Sequence, residues 1–129
     1  MIRGTTAQFK FKLPYIKSEL LWVTIKFWQD GNNGPYLPIT KKLEHCDAPD
    51  DSTELYVSLT SEETKRFSTK YKAKVQLRGQ HITSGTTFGN KEKLITVYPM
   101  NDGILDEDPM MPAENEEGWI ILDGGAIMD

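Results

Sequence analysis

The feature that most constrains this chain is an alternation near its start. In "TTAQFKFKL", Phe9, Phe11 and Leu13 fall on one face and Gln8, Lys10 and Lys12 on the other. A period of two predicts a half-buried β-strand, and Pro14 ends it. The pattern recurs. "LLWVTIKFW" (20–28) puts Leu21, Val23, Ile25 and Phe27 on one face. "ELYVSLT" alternates through Leu55, Val57 and Leu59, and "YKAKVQLRGQHI" through Tyr71, Ala73, Val75 and Leu77. "KLITVYP" (93–99) reads as a last strand, and 36–46 as a less regular one at a sheet edge, because of Pro38. "DGNNGP", "CDAPDDST" and "TSGTTFGN" supply turns or bulged strand.

One segment breaks the period. In "TSEETKRF", Thr60 precedes Glu63 by three residues, a capping box that predicts one helical turn at 61–67. Six or seven strands within 98 residues predict an all-β fold, an immunoglobulin-like antiparallel sandwich. A small barrel is the alternative. The Cys–Trp–Cys core of antibody domains is absent.

Charge divides the chain near Pro99. Residues 1–98 carry all 15 Lys and Arg against 10 acids, a net of +5. Residues 99–129 carry nine acids and no Lys or Arg, a net of −9. The expected organisation is a β-domain at 1–98, an acidic linker at 99–117 and a C-terminal strand or short hairpin at 118–129. A coil of 19 residues spans roughly 24 Å, enough to reach a neighbouring subunit.

The ending, "GWIILDGGAIMD", places Trp119, Ile120, Ile121 and Leu122 after the acidic run. It fits two short strands joined by a turn at Asp123 and Gly124, or one strand added to a sheet edge. Either form needs a partner surface, in the same chain or another. No apolar run reaches the roughly 18 residues of a membrane span. "MIRGTT" has no apolar core behind it, so Sec-type export is not expected. The single cysteine, Cys46, fits a reducing cytoplasm.

Catalytic chemistry finds little support. His45 and Cys46 lack the further ligands of a metal site, and His81 is expected on an outward strand face. Glu62 and Glu63 suit a helix N-terminus. "NDGILDED" lacks EF-hand spacing, and no phosphate-binding loop follows a strand. The expectation is a protein that is not an enzyme and needs no metal or cofactor. Lys10, Lys12, Lys72, Lys74 and Arg78 form a basic face if their strands share a sheet. With no aromatic alternating among them, nucleic acid is not expected as partner. Trp22 and Trp28 should point outward from one strand, where tryptophan favours a protein contact. A sugar platform of Trp22, Trp28, Tyr36 and Tyr56 is the other reading.

Five stretches carry a resemblance: "MIRGTTAQFKFKLP", "WVTIKFWQ", "LYVSLTSEETKRF", "KAKVQLRGQHITSG" and "ITVYPMNDGILDE". They resemble a group of small proteins encoded in prophages of Gram-positive bacteria, near tail and baseplate genes. The shared features are Gly4 to Thr6, Gln29, Leu59 to Phe67, Val75 to Arg78 and Gly85. At fold level the body is also similar to the N-terminal sandwich domain of upper baseplate proteins of lactic phages. The resemblance implies a virion structural protein, made in the bacterial cytoplasm and built into a phage tail. It would contact itself or other tail proteins as a homo-oligomer, with a host surface glycan as the alternative partner. No catalytic residue comes with it.

Overall fold

The computed structural model describes residues 1–31, 37–99, 119–123 and 126–128. The chain is mostly β, with two sheets and few helical turns. Strand β1 (Ala7–Lys12) buries Ala7, Phe9 and Phe11 and alternates as its sequence predicts. It pairs antiparallel with β4 (Glu54–Leu59), which sets Phe9 opposite Val57 and Phe11 opposite Leu55. On its other side lies β8 (Trp119–Asp123), in parallel register from Gln8–Trp119 to Lys12–Asp123.

The second sheet is built on β2 (Leu20–Trp28) and β5 (Ala73–His81), paired antiparallel. Strand β3 (Ile39–Lys42) forms one edge, as the proline-bearing stretch predicts; a cis Leu37–Pro38 bond precedes it. Strands β6 (Thr87–Gly89) and β7 (Lys93–Ile95) both pair with β5, and β9 (Ala126–Met128) adds to β6. Among the described residues of 1–98 there are thus seven strands, in line with the expected number. The buried faces of both sheets share one core, in which the Phe9 and Phe27 rings meet at 5.0 Å between centroids.

Helix α1 (Ser61–Thr64) is capped by the expected residues. Thr60 Oγ1 accepts from the Glu63 N–H at 3.2 Å, and Glu63 Oε1 accepts from the Thr60 N–H at 2.9 Å. The same carboxylate holds Lys41 of β3, with contacts of 3.0 and 2.9 Å to its two oxygens. An inward-pointing charge on an edge strand discourages stray pairing there.

Several expectations need correction. Leu21 is not inward: the β2–β5 register slips between Leu20 and Trp22, so Leu20 is buried while Leu21 is 53% exposed. Tyr71 precedes β5 and lies 42% exposed, its ring against Gly31, so it is no core residue. The C-terminal residues form two strands, which pair with β1 and β6 rather than with each other. Asp123 ends β8, opposite Lys12; Gly124 lies outside the described residues, as do Tyr36 and residues 100–118.

Candidate interaction surface on the six-stranded sheet

Alternation along β2 sends Val23, Ile25 and Phe27 into the core and Trp22, Thr24, Lys26 and Trp28 to the outer face. Opposite them on β5 stand Gln80, Arg78, Gln76 and Lys74, in that order. The bulge at Leu21 adds a second outward apolar side chain beside Trp22, which alternation alone forbids.

The two tryptophans differ. Trp22 is 38% exposed, and its indole N–H donates to Gln80 Oε1 at 2.9 Å. Gln80 in turn donates to the Gly85 carbonyl at 2.8 Å, across a turn where Gly85 takes φ 69°. The ring is therefore held in place before any partner arrives, which lowers the ordering cost of binding. Trp28 is half-buried. Lys26 Nζ sits 4.9 Å from its ring centroid. Its ring face is thus engaged within the chain.

Trp22 is the shared wall of two depressions. One, of about 450 Å³, is bordered by Lys17, Leu21, Lys42, Leu43 and Glu44. The other, of about 340 Å³, is bordered by Thr24, Lys26, Gln76 and Arg78. Arg78 and Lys42 make no ion pair among the described residues. Lys74, by contrast, is held by Asp30 and Glu92, which raise its pKa, the Asp30 hydrogen bond foremost.

The expected basic face is rearranged. Lys10 and Lys12 belong to β1, in the other sheet, and Lys72 precedes β5. The cations that share the outer face with Arg78 and Lys74 are Lys26 and Lys42. Tyr56 lies on β4 with Lys10 Nζ 5.9 Å from its ring centroid, so it shares no sheet with Trp22 and Trp28.

The remaining polar candidates have local roles. His45 Nδ1 accepts the Lys42 N–H at 3.0 Å. Cys46 is buried, and that burial pushes its thiol up to about 11, far from a ready nucleophile. His81 is not simply solvated. Its Nδ1 accepts the Ser84 N–H at 3.1 Å, so Nε2 carries the proton directed at Glu19, 2.8 Å away. Among the described residues, no group of three or more His, Cys, Asp or Glu is arranged to hold a metal. No helix there is long and apolar enough to cross a membrane.

Residues far apart in the sequence meet around α1. Thr64 Oγ1, fully buried, accepts the Gly4 N–H at 3.0 Å and donates to the Thr5 carbonyl at 2.8 Å. Arg3 Nε reaches the Phe67 carbonyl at 2.8 Å, and buried Gln29 clips Ser68 through both its amide atoms. These residues lock the N-terminus and the end of β2 onto α1 and the turn after it. No protein-family model matches the sequence, and no curated protein matches it.

Proposed function

We propose that this chain is a non-enzymatic structural module of a phage tail or baseplate. In this reading it is an immunoglobulin-like β-sandwich that makes protein–protein contacts through one sheet face and its C-terminal strand. The observation that carries the reading is the pairing of β8 with β1 and of β9 with β6. Two strands at the end of a long acidic stretch complete edges of two different sheets. The bonds they make are main-chain bonds, which any copy of the same strand can make to any copy of the same edge. Exchange of an identical element between copies is a low-cost route to assembly. Alternate side chains then supply specificity. The resemblance to prophage proteins supplies the biological setting.

Immunogold labelling of tailed particles from a host carrying the coding sequence tests this reading. Label at the tail tip or baseplate is expected, and particles free of label reject it.

The exposed, pinned ring of Trp22 favours a second reading, a module that binds bacterial surface glycan. With the Trp28 ring engaged by Lys26 and Tyr56 in the other sheet, it offers a single stacking residue among the described residues. Loss of glycan-array binding on Trp22→Ala, with assembly unchanged, would favour it over the first.

A further inference from the structure

We propose that the Trp22 face binds the acidic segment 99–117 of a second copy of this chain, joining copies head to tail. This deepens the assembly reading and rests on it. The face is a mixed surface. Leu21, Trp22 and Leu43 give it apolar walls, Lys26 adds positive charge, and Lys42 and Arg78 give it cations that no carboxylate of the described residues pairs. Among the described residues on its border, Glu44 is the single acid. An occupant must offer several carboxylates and a few flexible apolar side chains.

Segment 99–117 has that chemistry. It holds seven acids and no cation, with Ile104, Leu105, Met110 and Met111 among them. Methionine and leucine adapt to shallow apolar depressions at little cost. The charge complement extends to the whole chain, +5 before Pro99 and −9 after it. Opposed charge of this kind speeds encounter and fixes the register of docking.

Geometry favours a second copy over the same one. Tyr98 bridges to Ile2, just ahead of β1, and Trp119 pairs with Gln8 of β1. Both ends of the segment are therefore anchored beside the three-stranded sheet. The Trp22 face is the outer side of the other sheet, across the core. A segment reaching that face in its own molecule must go round an edge and return, whereas a neighbour's segment meets no such demand. Because the face and the segment are different surfaces, the contact is heterologous and closes into rings or runs on as filaments.

A charge exchange in the full-length chain tests this. One variant carries Lys42→Glu and Arg78→Glu, both exposed and outward. A second carries Asp106→Lys and Asp108→Lys. Sedimentation velocity at about 50 mM and about 0.5 M salt reads association, and circular dichroism verifies folding. Wild type is expected to associate more strongly at low salt than at high salt. Each variant alone is expected to associate at least about tenfold more weakly. Mixing the two variants should restore association, since each reversed surface then meets its complement. If wild type associates but the face variant does so equally well, the contact is elsewhere; this proposal falls while the assembly reading stands. A monomeric wild type at every salt overturns both. If the face variant self-associates normally yet loses binding to purified anionic wall polysaccharide, the face is a glycan site and the proposal is wrong.

Discussion

Gly79, in the middle of β5, lies directly beneath the Phe88 ring: a Cβ on Gly79 would stand 2.4 Å from Phe88 Cζ and 3.0 Å from the Trp22 carbonyl oxygen. Phe88 is fully buried and fills the core from the short strand β6. The missing side chain on the central strand is thus the space that the aromatic occupies. Gly79→Ala forces one of them to move, and overpacking of this kind costs about 1–3 kcal/mol. Urea unfolding should show that loss, with the slope of the transition unchanged. A midpoint equal to wild type would show that the ring has room to shift.

Glu63 makes stability depend on acid pH. Burial pushes its carboxyl up, but the hydrogen bond from the Thr60 N–H and the contacts of Lys41 outweigh that and hold it below 4.5. A carboxyl lowered by folding stabilises the folded chain above its unfolded pKa. That contribution is lost as pH falls through the folded value. The chain should therefore weaken progressively below about pH 4.5. Glu63→Gln should lower the unfolding midpoint at neutral pH and flatten the acid limb. Asp30, held low chiefly by its hydrogen bond from Lys74, leaves part of the slope in place. An acid limb equally steep in the variant would contradict this role.

Cys46 should be chemically quiet. Its Sγ contacts the Lys42 carbonyl at 3.3 Å, and burial holds the thiol near 11, so little thiolate exists at neutral pH. Alkylation of the native chain should run roughly a hundredfold or more slower than that of a small free thiol. Full denaturation should remove the difference. Fast labelling of the folded protein would mean that the site opens readily.

Much of the fold was legible because period two is a local signal. Phe9, Phe11, Val57, Leu59, Val75 and Leu77 all lie where alternation puts them. The capping box was legible for the same reason, since Thr60 and Glu63 are three residues apart. Leu21 was not, because a one-residue bulge is decided by pairing with β5, which no local pattern records. The need for glycine at position 79 was equally hidden, since Phe88 arrives from a strand beyond the next turn. Of the surface, outward Trp22 was readable from alternation. That Lys10 and Lys12 lie in a different sheet from Arg78 depended on sheet order. Thr64 could have been suspected, as a buried polar residue one position past the capping box, but its partners Gly4 and Thr5 lie 59 or more positions away.

The most direct test of the assembly account is the solution mass of the full chain beside that of a chain ending at residue 117, by light scattering over a wide concentration range. Circular dichroism verifies that the shortened chain is folded. The full chain is expected to exceed its monomer mass of 14.7 kDa by a whole-number factor. Measured at about 0.5 M salt, where the charge contact of segment 99–117 is screened, the shortened chain, without β8 and β9, should lose association or require far higher concentration. A full chain that stays at 14.7 kDa at every concentration would contradict the account.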